Sequence, residues 1–114
     1  MSRIETLAAR QLEAYNASDL EAFCACYHDE VEVWNDREPT YSGIATFRER
    51  YRDLFERWDF GGSVSERLVC GDHAVDLEHW WRTNPDSGER SEGYLLVRYT
   101  LREDRIGVVQ FIRA

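Results

Sequence analysis

The sequence predicts an α+β fold, with three N-terminal helices followed by an antiparallel sheet packed against them. Helical periodicity fills most of the first half of the chain and strand alternation the second, which is the order expected of segregated α+β architecture. Two capping boxes stand close together near the start, a sign of two consecutive helices. Hydrophobic residues make up 43% of the 114 residues and aromatics 13%, enough for one core and for side chains to line a cavity. Residues 1–114 therefore read as one domain, without linker, repeat or low-complexity run.

Ser2-Arg3-Ile4-Glu5 opens the first helix, whose apolar face is Ile4, Leu7, Ala8, Leu12 and Tyr15. Asn16-Ala17-Ser18 ends it, and Ser18-Asp19-Leu20-Glu21 caps a short second helix that buries Leu20, Phe23, Cys24 and Tyr27. Val31 to Asn35 alternates as a strand, and residues from Asn35 to Gly43 read as a polar loop. Ser42 is placed to cap a third helix with Ile44, Phe47, Tyr51, Leu54, Phe55 and Trp58 on its apolar side; Gly61-Gly62 is the expected stop. Four strands follow: Val64 to Cys70, Ala74 to Thr83, Glu92 to Leu101 and Ile106 to Arg113. Turn formers at Gly71-Asp72, Asn84 to Gly88 and Glu103-Asp104 separate them.

Charge and composition exclude several functions. With 14 basic against 22 acidic residues the net charge is -8, so no basic footprint exists for nucleic acid or an anionic membrane. No segment reaches the roughly 18 apolar residues of a membrane span, and the N-terminus lacks a signal peptide's apolar core. Three cysteines cannot all pair, which favours reduced thiols in a cytoplasmic protein. His28 near Cys26 is too little for a metal site, and no metal or cofactor is expected. His28 and His73 are expected at the surface.

Alternation assigns faces to the strands. On the strand from Ala74, the apolar set Val75, Leu77, His79 and Trp81 is expected to meet the helices. His79 is its single ionisable member. The opposite set is Asp76, Glu78, Trp80 and Arg82, and with Tyr94, Leu96 and Arg98 of the next strand this face, which carries tryptophan, tyrosine and leucine among opposite charges, is too apolar for plain solvent. It is expected to form a homodimer interface. On helix 1, Gln11 falls on the buried side, where an amide must find a partner. Asn35 shares the face of Val31 and Val33.

The run from Gln11 to Phe23, then Tyr27-His28-Asp29-Glu30-Val31-Glu32-Val33-Trp34-Asn35 and Tyr41-Ser42-Gly43, resembles ketosteroid-isomerase-like and SnoaL-like proteins. These belong to the nuclear transport factor 2-like superfamily, and the resemblance covers essentially the whole chain. It implies a cystatin-like, cone-shaped barrel of curved sheet around three helices, a deep pocket and dimerisation through the outer sheet face. The chain departs from ketosteroid isomerases at the residues that do their chemistry. Gln11 stands where they carry a catalytic Tyr, Asn35 matches their proton-shuttling Asp, and Val97 falls at about their second Asp. An amide cannot take up and return a proton near neutral pH, so steroid isomerisation itself is not expected. Tyr27 and Tyr51 match positions of supporting tyrosines in some members.

These readings place a pocket around Gln11, Asn35 and His79. Tyr15, Tyr27, Phe47 and Tyr51 are expected in its wall, together with Trp81, Val97 and Tyr99. His79 is the candidate general acid or base, because imidazole titrates near neutrality. Gln11 and Asn35 would hold a substrate oxygen, and Asp36, at the strand end, could replace the missing acid. The chemistry expected is a cofactor-free isomerisation, dehydration or cyclisation of a small, largely apolar molecule. Two alternatives use the same fold: a non-catalytic small-molecule binder, or a dimerising interaction domain.

Overall fold

The computed structural model describes residues 1–113. Its elements run α1 (Arg3–Asn16), α2 (Leu20–Cys24), β1 (Tyr27–Asn35), β2 (Glu38–Ser42), α3 (Ile44–Arg57), β3 (Asp59–Cys70), β4 (His73–Thr83), β5 (Arg90–Arg102) and β6 (Arg105–Arg113). The six strands form one sheet in the order β2-β1-β6-β5-β4-β3. All neighbours are antiparallel except β1 and β6, which run parallel. The sheet curves around the helices without closing, so β2 and β3 remain as edges. Among the described residues no helix is long and apolar enough to cross a membrane.

Local chemistry accounts for the ends of the elements, with some corrections. The Ser2 side chain accepts from the Glu5 amide at 3.3 Å and starts α1. Asp19, not Ser18, caps α2, its carboxylate accepting from the Ala22 amide at 3.0 Å. Ser18 instead takes a left-handed φ of 55° in the turn between the helices. Gly43 is the N-cap of α3, with no side-chain capping bond, so Ser42 does not serve there. A φ of 93° suits glycine at that junction. The polar loop expected from Asn35 to Gly43 contains a strand, β2, which pairs with β1 across a bulge. Pro39 is tolerated because β2 is an edge. Helix α3 ends at Arg57, and Gly61-Gly62 lie inside β3.

The core forms between α1, α2, α3 and the concave side of the sheet. Phe23 is its aromatic hub, with ring centroids 5.5 Å from Phe47, 5.1 Å from Tyr27 and 5.0 Å from Tyr51. Ile4, Ala8, Val31, Val97 and Ile106 are almost fully buried beside it. Cys24 and Cys26 are buried, Cys70 is exposed, and all three are free thiols.

The largest correction concerns β4. Its inward set is Ala74, Asp76, Glu78, Trp80 and Arg82, while Val75, Leu77, His79 and Trp81 face outward. The register with β5 sets this: Ala74 opposes Tyr99, Asp76 opposes Val97 and Glu78 opposes Leu95, placing them on the core side of the sheet. A one-residue offset exchanges the two faces of a strand. Asp76 is 1% exposed and is neutralised by Arg67, whose Nε and Nη2 donate to its two carboxylate oxygens at 2.6 and 2.9 Å. The predicted interface set is therefore split. Tyr94, Leu96 and Arg98 lie on the outer face, joined by Leu77, His79 and Trp81, whereas Trp80 and Arg82 point inward.

Candidate functional site

A cavity of about 280 Å³ opens between α1, α3 and the concave sheet. Gln11 and Tyr15 of α1, and Tyr51 and Leu54 of α3, form its helical side. Glu78, Trp80 and Arg82 of β4, with Tyr99 of β5, form its floor. Asn35, Thr40, Arg50 and Arg113 also line it, with Arg50 and Arg113 exposed to solvent at its mouth.

At its inner wall lies a directional hydrogen-bond chain. The Tyr27 hydroxyl donates to Gln11 Oε1 at 3.0 Å. Gln11 Nε2 then donates to the Tyr99 hydroxyl oxygen at 2.9 Å and to the Ala8 carbonyl at 3.1 Å. A carbonyl only accepts, so the contact with Ala8 fixes which end of the amide is nitrogen. Because Tyr99 accepts from Gln11, its own O–H remains available to donate toward the cavity. Burial raises the hydroxyl pKa of Tyr27, Tyr51 and Tyr99 above that of an ordinary phenol, so all three remain neutral donors.

Glu78 is the acid of this cavity. Burial, reinforced by the nearby Asp76 carboxylate and opposed by Arg82, pushes its pKa from 4.5 up to about 7. A specific device makes room for it. A Cβ on Gly62 of β3 would lie 2.6 Å from Glu78 Oε1, so only glycine lets the carboxyl rest there undisturbed. Asn16, at the end of α1, braces that glycine from both sides, accepting from its amide at 2.8 Å and donating to its carbonyl at 2.9 Å.

Arg82 stands beyond Trp80 on the same face, with its guanidinium 5.9 Å from the indole ring. Its Nε is buried and has no hydrogen-bond partner among the described residues. Asn35 is tied at the mouth, donating to Thr40 Oγ1 at 2.8 Å and accepting from Arg113 Nη2 at 3.2 Å.

The structure brings Gln11, Asn35, Tyr15, Tyr27, Tyr51 and Tyr99 of the predicted site to one cavity. Other predicted residues lie elsewhere. His79 is on the far side of the sheet, stacked on Tyr94 at 4.7 Å and 3.6 Å from Glu92 Oε1. It cannot move a proton in the cavity, because β4 turns its alternate face inward. Trp81 shares that outer face, 5.5 Å from the His79 ring. Phe47 and Val97 are buried in the core and do not line the cavity. Asp36 sits in a left-handed turn, its carboxylate accepting from the Arg113 amide at 3.0 Å, so it closes the end of β6 and does not supply an acid to the pocket. His28 and His73 also lie away from the cavity, bonded to Glu103 and Thr100.

Glu78 and Arg82 are the cavity groups that alternation hid. Their signal was present: two opposite charges flanking a Trp on one strand face read equally well as an interface or as a pocket floor. Register decides between these, and register is a tertiary property.

Comparison with known proteins places this geometry. The structure superposes with a TM-score of 0.87 on a cystatin-fold protein from Novosphingobium aromaticivorans, 24% identical, covering 99% of each chain. It superposes at 0.84 on an LEH-like epoxide hydrolase from Mycobacterium tuberculosis, 13% identical, covering 96% of this chain and 80% of that one. A second M. tuberculosis protein, in complex with estradiol-17β-hemisuccinate, gives 0.87 at 13% identity, covering 97% of this chain and 93% of that one. At these identities the likeness establishes the fold alone. No curated protein matches the chain at a significant level. The family signature of the SnoaL-like domain matches residues 8–109, nearly the full span from the middle of α1 into β6, and the chain belongs to that family.

Proposed function

We propose that this SnoaL-like protein binds a small, largely apolar molecule in its cavity and carries out cofactor-free acid–base chemistry on it, with Glu78 as the proton carrier. The observation that carries this reading is geometric: Glu78 is the one carboxyl among the described residues that line the cavity, and its burial beside Asp76 pushes its pKa up to about 7. Such a group can both remove and return a proton near neutrality. Tyr99, oriented by Gln11, supplies a neutral donor for a developing oxyanion. Asn35 orients a polar group at the mouth. The reaction class is isomerisation, dehydration or cyclisation. Small-molecule chemistry and binding in two neighbours of the same fold, the epoxide hydrolase and the protein with a bound estradiol ester, support a cavity of this kind.

The test combines two measurements. Native mass spectrometry of the purified protein is expected to show a retained small molecule. Carbon-13 NMR of labelled glutamate is expected to show one carboxyl titrating near 7, absent from E78Q. A Glu78 that titrates near 4.5, in a protein that retains nothing, would sink the reading.

The same proposal extends to assembly and location. The outer patch of Leu77, His79, Trp81, Tyr94 and Leu96 suits an isologous homodimer, with Tyr94 66% exposed and Leu96 39% exposed in the single chain. A mass corresponding to monomer at micromolar concentration would remove the dimer. Three unpaired cysteines support the cytoplasm as the working compartment.

A further inference from the structure

The proposal that the cavity takes a small apolar molecule can be taken further, to the charge that molecule carries. The whole chain is acidic, with a net charge of -8. The cavity inverts that balance: Arg50, Arg82 and Arg113 line it, against Glu78 as its one acidic member among the described residues. We propose that the cavity's ligand is an aromatic carboxylate whose anionic group is held by Arg82, with Arg50 and Arg113 drawing it in at the mouth. This rests on the small-molecule reading above and names its substrate class.

Each arginine is placed for this role. Arg82 Nε is buried in the cavity wall and lacks a hydrogen-bond partner among the described residues, and a guanidinium is always charged. Leaving that nitrogen unpaired is costly, and a carboxylate bound in the cavity to the terminal nitrogens of the same guanidinium would offset the cost with charge-assisted bonds. Arg113 is held in direction by Asn35 Oδ1 at 3.2 Å. Asn35 is in turn anchored on Thr40, which makes it a positioning residue for the mouth. Arg50 lies over the Tyr41 ring, 4.5 Å from its centroid, which steadies the guanidinium without neutralising it.

Trp80, Tyr51, Leu95 and Phe111 supply the apolar and aromatic surface between these charges. A flat aromatic body stacks on that surface while its carboxylate reaches Arg82. Glu78 opposes such a ligand little at mildly acidic pH, because burial pushes its pKa up to about 7.

The test compares naphthoate with naphthylmethanol, two probes of nearly equal shape that differ in charge, by quenching of tryptophan fluorescence at about pH 6. In about 20 mM salt the carboxylate is expected to bind roughly tenfold or more tightly than the alcohol, and the difference should shrink in about 500 mM salt. R82Q should weaken naphthoate roughly tenfold while changing the alcohol less than about twofold. Should R82Q not fold, the R50Q/R113Q double variant, altered at exposed positions, is expected to reduce the carboxylate's advantage several-fold. Equal binding of both probes, or binding of neutral estradiol alone, overturns the anionic ligand and leaves the small-molecule cavity standing. Preference for naphthoate that survives both variants overturns the assignment to these arginines. Failure of naphthoate, naphthylmethanol and estradiol alike overturns both the charge and the cavity reading.

Discussion

Along β4 the inward side chains Asp76, Glu78 and Arg82 are charged around a single Trp80, while the outward Val75, Leu77, His79 and Trp81 are mostly apolar. The usual order is inverted because this part of the concave face lines a cavity as well as covering a core. Each inward charge is managed differently. Asp76 is locked by the two-toothed Arg67 pair, Glu78 lies against Gly62 with a raised pKa, and Arg82 keeps a donor unpaired. Outward, His79 rests in a shallow stack with Tyr94, and His73 at the start of the strand bonds Thr100. Charge is tolerated inside only where specific partners or an open cavity receive it, and apolar surface is tolerated outside where another surface can cover it.

Substitutions on the two faces should therefore differ sharply. The largest effect is expected from R67A, which strips Asp76 of its partner at a position 1% exposed. Breaking a buried pair on one side costs about 3–5 kcal/mol, to be read from urea unfolding. Q11A leaves the Tyr27 hydroxyl and the Ala8 carbonyl short of their partner, and should cost about 2 kcal/mol by the same measurement.

E78Q should act in the opposite direction and only over part of the pH range. The folded state raises Glu78 from 4.5 to about 7, so it holds the proton more tightly than the unfolded chain does. That contribution to stability is complete below about pH 4.5 and is lost as the pH rises through about 7. Glutamine carries no such proton, so E78Q should be more stable than the parent above about pH 7, by on the order of 2 kcal/mol, and show no advantage in acid. Thermal unfolding across pH checks this, and a pH-independent difference would break the assignment. The smallest effect on binding belongs outside: H79A, on the far face of β4 from the cavity, should leave naphthoate binding unchanged within about twofold. A large loss of binding in H79A would mean that the two faces communicate, and the comparison would fail.

Much of the fold was legible from local chemistry. The Ser2 cap, the apolar faces of α1 and α3 and the last three strands depend on near neighbours in sequence and form close to where the residues predict, whereas β3 begins at Asp59 instead of Val64 and Tyr27 belongs to β1 instead of helix 2. The missed β2 and the displaced cap of α3 arise where pairing with β1 overrides local preference, whereas the cap of α2 shifts by one residue within a local turn in which Ser18 is left-handed and Asp19 bonds the Ala22 amide. Glu38 to Ser42 has weak strand character and becomes a strand because β1 offers it an edge. Within the site, Gln11 and Asn35 were found because a polar group on an otherwise apolar face must meet something. Glu78 and Arg82 were misassigned because alternation tells which residues share a face, and cannot tell which face is turned inward when both contain tryptophan.

By itself the sequence determined the order of the three helices and of five of the six strands, the identity of most core residues, and the presence of an amide on helix 1 at a buried position. Only the tertiary structure decided which side of β4 meets the cavity, and hence that Glu78, not His79, is the acid inside it. The reason is geometric. Periodicity is a property of one strand, but inside and outside are defined by the register of its ladders and the curvature of the sheet, which no single strand contains.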